Sequence, residues 1–220
     1  MTSIADRVFL ARHGQTALNA QGRLRGLSDP PLDEVGIAEA TRLAAALASK
    51  HPTAVICSAL QRAVATAQAI GAASGAPVTV DVRLNDRDYG PMTGHLRDEV
   101  EREYGSVDLA PGVEPLTALA ARARQAFFER AADYGPGPLV MVSHDAFNRT
   151  ARTARPRAQR GPSADRVLES AQPGRRCVAS GRLRPGVRLT ASGICRKYPQ
   201  CVASGVNPPL ASRSGDEARL

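Results

Sequence analysis

A cation, an imidazole and a glycine follow directly on a short apolar run near the start of the chain. Val8-Phe9-Leu10-Ala11 leads into Arg12-His13-Gly14-Gln15-Thr16. Such a run reads as a buried strand, so its polar end marks a place where an anion could be handled. Arg12 can hold a phosphate through a planar two-point fork. His13 can supply a nitrogen nucleophile. Gly14 permits a turn with positive φ or a close approach of backbone to a ligand.

Three further segments repeat the arrangement. Leu139-Val140-Met141-Val142 runs into His144, Ala54-Val55-Ile56-Cys57 into Ser58 and then Arg62, and Val78–Val82 into Asp86 and Asp88. Taken singly, Arg62 reads as a solvated helix arginine, Asp86 as a turn former and His144 as a packing residue. Taken together they place two arginines, two histidines and a carboxyl at the carboxyl ends of strands, where open α/β sheets bind ligands. Phosphoryl transfer suits that set. Arginines neutralise the peripheral oxygens, and a neutral histidine attacks phosphorus. One carboxyl protonates the leaving oxygen and later activates water.

The elements that must hold these residues alternate between strand-like and helix-like segments over 1–150, the pattern of an α/β domain with a largely parallel sheet. Asp33 reads as a helix N-cap, with Gly36, Ala40, Leu43 and Leu47 at helical spacing behind it. Ser58 reads as the N-cap of a second helix bearing Leu60, Val64, Ala67 and Ile70, closed by Gly75-Ala76-Pro77. A loop from Arg83 to Gly94 leads to a polar helix near 96–104. A longer helix opens with Pro115 in its first turn and ends at Gly135-Pro136-Gly137-Pro138.

The net charge of +8 over 220 residues is unevenly placed. Residues 1–150 carry a net −2, whereas 151–220 carry +10 with 13 Arg, 7 Pro, 7 Gly and 7 Ser. No strand or helix periodicity is legible in that last third. Its composition predicts a disordered low-complexity tail, or the product of a reading-frame shift near residue 150 in a GC-rich gene. Either would leave the fold incomplete at its C-terminal part. No apolar run is long enough to span a bilayer, and the first residues do not read as a secretory signal. The four cysteines lack zinc spacing. These features predict a cytoplasmic protein that binds neither membrane nor metal.

The quoted segments resemble the signature of the histidine phosphatase (phosphoglycerate mutase-like) superfamily. The likeness runs through Leu10–Thr16 with Asn19, Leu27–Leu32 with Gly36, and Cys57–Ala63 with Thr66-Ala67. It continues in Leu84–Gly90 with Gly94, and in Val142–Asp145 with Asn148-Arg149. It implies a three-layer α/β sandwich with a mostly parallel sheet, working without metal or organic cofactor. By the resemblance His13 is the phosphorylated nucleophile, and Arg12, Arg62 and His144 form the phosphate pocket. Thr16 and Asn19, with Gly14 and Gln15 of the same loop, contact phosphate or substrate. Asp86 falls where the family commonly has a glutamate as proton donor. Asp is one methylene shorter, which leaves Asp88 as the alternative donor. His51 and His95 match no catalytic motif; His51 is expected at the surface and His95 at the pocket rim.

The family includes phosphatases and bisphosphoglycerate-dependent mutases, and the Leu84–Gly90 string is mutase-like. Only 49 residues separate Gly94 from His144, whereas the mutases it resembles carry a longer insertion there to enclose the intermediate. The expectation is therefore a phosphomonoesterase acting on a small phosphorylated metabolite, with the mutase as alternative. A third reading is a non-catalytic relative whose basic tail binds nucleic acid. Against it, Tyr198 is the one aromatic residue of that tail.

Overall fold

The computed structural model describes residues 7–134, 137–153 and 167–168. Five parallel strands form one sheet: β1 (Val8–Arg12), β2 (Ala54–Cys57), β3 (Val78–Val80), β4 (Leu139–Ser143) and β5 (Val167–Leu168), in the order β3-β2-β4-β1-β5. The helices are α1 (Ala17–Ala20), α2 (Glu34–Ala48), α3 (Gln61–Ser74), α4 (Arg97–Tyr104), α5 (Leu116–Asp133) and α6 (Asp145–Thr153).

The three layers follow from side-chain alternation along the strands. Leu10, Ile56 and Met141 point to one face, where they meet Leu119 and Phe127 of α5 and Phe147 of α6. Ala11, Val55, Cys57, Val140 and Val142 point to the other, against Leu43 and Leu47 of α2 and Ala67 and Ile70 of α3. β2 and β4 are buried along their whole length, which is why their sequences are continuously apolar rather than alternating. Phe127 and Phe147 are almost wholly buried, each worth about 1.5–3 kcal/mol in removed apolar surface. A small third cluster, with Leu24, Tyr89, Met92, Val100 and Val107, packs α4 and its neighbouring loops together.

Helix ends agree with the sequence in part. Asp33 caps α2, its Oδ1 accepting from the Gly36 amide at 2.8 Å. α3 closes on Gly75 in the left-handed region, φ 75°. Ser58, however, is not the N-cap of α3. The helix begins at Gln61, whose amide donates to Oδ1 of Asp29 at 2.7 Å, while the Ser58 hydroxyl is taken by the Leu60 amide and by His144. β3 stops at Val80, because Asp81 turns the chain into a 3-10 turn, Val82–Leu84, by accepting from the Arg83 amide. Pro115 stands at the N-cap of α5, one residue before the helix.

Two elements pass the boundary drawn near residue 150. α6 continues to Thr153 because Phe147 and Ala151, four apart, share its buried face. β5 lies beside Leu10 and Ala11 of β1, and two residues are too few for periodicity to reveal. The remaining expectations for the tail concern positions outside the described residues.

Candidate active site

Parallel register brings the reactive residues to one edge. Arg12 pairs with Ser143 and Cys57 with Val142. The ladder then runs one residue past each strand: the His13 amide donates to the Ser143 carbonyl at 3.1 Å, and the Ser58 amide to that of Val142 at 3.0 Å. His13, His144 and Ser58 therefore leave the sheet side by side. The two imidazoles lie 4.9 Å apart between ring centroids, both essentially buried.

Hydrogen bonding fixes the tautomer of His13. Its Nδ1 lies 2.6 Å from the Gly14 carbonyl, an acceptor only, so Nδ1 carries the proton. Nε2 then holds a lone pair, and it accepts from Nε–H of Arg62 at 3.3 Å. Burial first, then the charges of Arg62 and Arg12, hold the imidazole well below its ordinary pKa. A neutral, oriented imidazole whose Nε2 lone pair is engaged only by this long hydrogen bond is suited to act as a nucleophile.

Arg62 is itself fixed, donating to the carbonyls of Ser28 (2.6 Å) and Gly26 (2.9 Å). Burial pushes its pKa down to about 10, against the opposing pull of Asp86, which still leaves it charged at neutral pH. Asp86 is 1% exposed, with Oδ2 3.6 Å from Nη2 of Arg62 and 3.9 Å from Nδ1 of His144. Its Oδ1 accepts from the Arg87 amide at 2.9 Å, whereas Oδ2 has no hydrogen-bond partner among the described residues. Burial raises its pKa, and Arg25, Arg62 and that amide only partly offset the rise. The carboxyl thus keeps a proton more readily than an ordinary aspartate. His144 Nε2 lies 2.8 Å from the Ser58 hydroxyl, while its buried Nδ1 has no partner. Burial and the neighbouring His13 lower its pKa well below the usual value.

A cavity of about 340 Å³ opens beside Arg12, with Asn19, Arg23, Arg25, Arg97 and Arg149 also among its lining residues; His13, Arg62 and His144 do not line it, and Asp86 lines a second cavity of about 220 Å³ together with Asp88 and Arg122. Of these arginines sequence reasoning named only Arg12 as a ligand group. Arg25 is the informative omission. Its Nε is buried without a partner, and its charge acts on Asp86, His13 and His144. It stands in a Gly- and Arg-rich loop, and that run of arginines was the available signal.

The loop after β1 serves mainly as support. Gly14 has no positive φ. A Cβ there would stand 2.3 Å from the Gly36 carbonyl oxygen, so the close approach it allows is to α2 rather than to a ligand. Its amide donates to Oγ1 of Thr66. Gln15 donates through its amide to Glu39 and through Nε2 to Asp33. Thr16 is buried, caps α1 and bonds Asn19. Asn19 lines the cavity. Asp88 turns away to accept from the Gly90 amide. His51 is exposed at the turn after α2, φ 49°. His95 is exposed, its carbonyl holding the Leu24 amide, and it does not line the cavity.

A buried histidine at the end of a parallel strand, faced by an arginine, a second histidine and a carboxyl whose burial raises its pKa, is an arrangement suited to phosphoryl transfer. Residues 8–159 match the histidine phosphatase superfamily (branch 1), and the chain belongs to that superfamily. It is 39% identical over 104 residues to a glucosyl-3-phosphoglycerate phosphatase of Mycolicibacterium vanbaalenii, covering 47% of this chain and 46% of the relative. It is 42% identical over 104 residues to a 2,3-bisphosphoglycerate-dependent phosphoglycerate mutase of Bifidobacterium longum, covering 45% and 42%. The structure of a mycobacterial glucosyl-3-phosphoglycerate phosphatase with VO3 superposes with a TM-score of 0.60 at 29% identity, over 66% of this chain and 78% of that one. The chain thus spans under half the length of the two curated relatives.

Proposed function

We propose that the protein hydrolyses small phosphomonoesters through a phosphohistidine at His13. The observation that carries this reading is the pairing of a tautomer-fixed His13, lone pair toward Arg62, with a buried Asp86 whose Oδ2 has no hydrogen-bond partner among the described residues and whose pKa burial raises. Nε2 attacks phosphorus in line; the N–P bond forms as the P–O bond to the leaving group breaks. Asp86 gives its proton to the departing oxygen, while Arg12, Arg62 and His144 hold the peripheral oxygens. Water then attacks the phosphohistidine, Asp86 takes up its proton, and inorganic phosphate leaves as the N–P bond breaks. Asn19 and Arg25 contact the phosphate or the remainder of the substrate from the cavity wall.

Hydrolysis is favoured over transfer because only 49 residues separate Gly94 from His144, short of the insertion by which the mutases the chain resembles enclose the intermediate. The mutase reading draws on the Bifidobacterium relative and predicts exchange of phosphate between two phosphoglycerates. The phosphatase relatives suggest a phosphorylated sugar or hydroxy acid as substrate. Among the described residues no helix is long and apolar enough to cross a membrane.

The test is a single turnover with a labelled aryl phosphate. Label should appear on His13 and then as inorganic phosphate, with a rate that a chelator leaves unchanged. A His13→Ala protein that hydrolyses the substrate as fast as the parent overturns the reading.

A further inference from the structure

The segment that carries Asp86 runs out of the 3-10 turn Val82–Leu84 and lies outside the α-helices and the sheet, yet its backbone is held at every step. Four consecutive carbonyl oxygens each accept from a side chain. Arg83 and Asn85 accept from Nη1 of Arg122, both at 2.8 Å; Asp86 accepts from Nη2 of Arg122 at 3.2 Å; Leu84 accepts from the Ser143 hydroxyl at 2.6 Å. Arg122, on α5, thus binds three of the four. The guanidinium is set in place by Glu114, whose two carboxylate oxygens receive it at 3.0–3.3 Å. Glu114 also holds the far side of the segment: its Oε2 accepts from the Asp88 amide at 3.2 Å, and its own amide donates to the Asp88 carbonyl at 2.8 Å.

We infer that Arg122 is a positioning residue for the proton donor, fixing the backbone of residues 83–86 so that the short side chain of Asp86 reaches the leaving oxygen. The inference rests on the proposed role of Asp86. The need is geometric. An aspartate has one fewer rotatable bond than a glutamate, so an error in its backbone position passes directly to the carboxyl. Displacements of about 1 Å cost roughly 10²-fold in rate where a proton must be handed over in line. Arg122 suits the task because its planar fork meets several carbonyls at once, which a lysine cannot do. Its charge is paired with Glu114, so it acts through the backbone rather than through the field at Asp86.

Leaving-group dependence separates positioning from general support. A phenol that departs readily needs little protonation, whereas a poor one depends on the acid. Full-length parent, Asp86→Asn, Arg122→Met and Arg122→Lys proteins are to be assayed on a series of substituted phenyl phosphates, from p-nitrophenyl phosphate to phenyl phosphate. The parent should show a shallow dependence of kcat on phenol acidity, and Asp86→Asn a steep one, reflecting loss of a general-acid contribution of roughly 10²- to 10⁴-fold. Arg122→Met should be steep as well, falling about 10²-fold on phenyl phosphate and far less on p-nitrophenyl phosphate, with inhibition by inorganic phosphate unchanged. Arg122→Lys, which keeps the pair with Glu114, should be steepened to a smaller degree, and it decides the matter if Arg122→Met does not fold. A parent-like slope in the folded Arg122 variants, or an equal loss on every phenol, overturns the proposal for Arg122 while leaving Asp86 in its role. A parent-like slope in Asp86→Asn overturns both. Absence of phosphatase activity in the parent strikes at the proposed function itself.

Discussion

Oδ2 of Asp86 and Nδ1 of His144 face each other 3.9 Å apart, buried, and neither has a hydrogen-bond partner among the described residues. That separation is too long for a hydrogen bond. It suits two groups that address the same substrate oxygens from different sides. The remaining atoms of both side chains are committed, Oδ1 of Asp86 to the Arg87 amide and Nε2 of His144 to Ser58. Each residue is thus held by one end and presents the other.

The first prediction concerns pH. The proposed mechanism needs His13 neutral and Asp86 protonated. Burial and the adjacent arginines hold the His13 pKa well below the usual value, so the nucleophile stays neutral far into the acid range. Burial raises that of Asp86, so the acid keeps its proton to higher pH than an ordinary carboxyl does. kcat/KM should therefore fall as pH drops through the His13 value and also as it rises through the Asp86 value. In Asp86→Asn the basic limb should disappear. A parent profile that climbs steadily to pH 9 contradicts this assignment.

The same shift makes Asp86 a cost to stability. Since the folded state raises its pKa, the penalty is absent below the unfolded value of about 3.9, grows as pH climbs, and is complete above the folded value. Asparagine bears no such penalty. Asp86→Asn should melt at a higher temperature than the parent at pH 8, and the gap should close by pH 4. The buried histidines work in the other direction, losing stability as pH falls below about 6.5. A variant that melts below the parent at pH 8 shows that the carboxylate is worth more to Arg62 and Arg25 than its burial costs.

Much of this site was legible because strands announce themselves by composition and end at their chemistry. His13, Ser58 and His144 follow apolar runs, so a parallel sheet had to bring them together. Arg25 was not legible, since it arrives by a loop whose path depends on Leu24 packing with Tyr89, Met92 and Val100. Gly14 was misread for a related reason. Sequence shows a glycine beside a histidine, but the contact that excludes a side chain comes from Gly36, on a helix reached only after a long loop. Ser58 looked like a helix cap because its spacing permits one; the hydroxyl is instead drawn to His144, and Asp29 meets the helix from elsewhere. β5 escaped notice because two residues carry no period.

Arg25 should matter to binding more than to chemistry. Its guanidinium lines the cavity with a buried, unpartnered Nε, and a charge-assisted hydrogen bond to an anion contributes about 1.5–3 kcal/mol. Arg25→Met should raise KM and weaken inhibition by inorganic phosphate by roughly 10- to 100-fold, while labelling of His13 at saturation persists. An unchanged inhibition constant for phosphate removes Arg25 from the site.

The contact between Gly14-Gln15 and Gly36 should be the least tolerant point of the fold. A Cβ on Gly36 would stand 2.0 Å from the Gln15 carbonyl oxygen and 2.7 Å from its amide nitrogen. Both are backbone atoms of the loop that orients His13, so no side chain can swing aside. Overpacking of this kind costs about 1–3 kcal/mol, and the rigid neighbours put Gly36→Ala at the upper end, a fall of roughly 6–12 °C in Tm. kcat should drop with it, because relief of the clash moves the Gly14 carbonyl that fixes the His13 tautomer. Gly75→Ala is the comparison. That residue has φ 75° and nothing within 4 Å of its Cβ, so it should lose only the 1–2 kcal/mol or so of left-handed strain and keep its full kcat. Equal kcat values in the two variants would mean that the approach of α2 to this loop supports the fold without aiming the nucleophile.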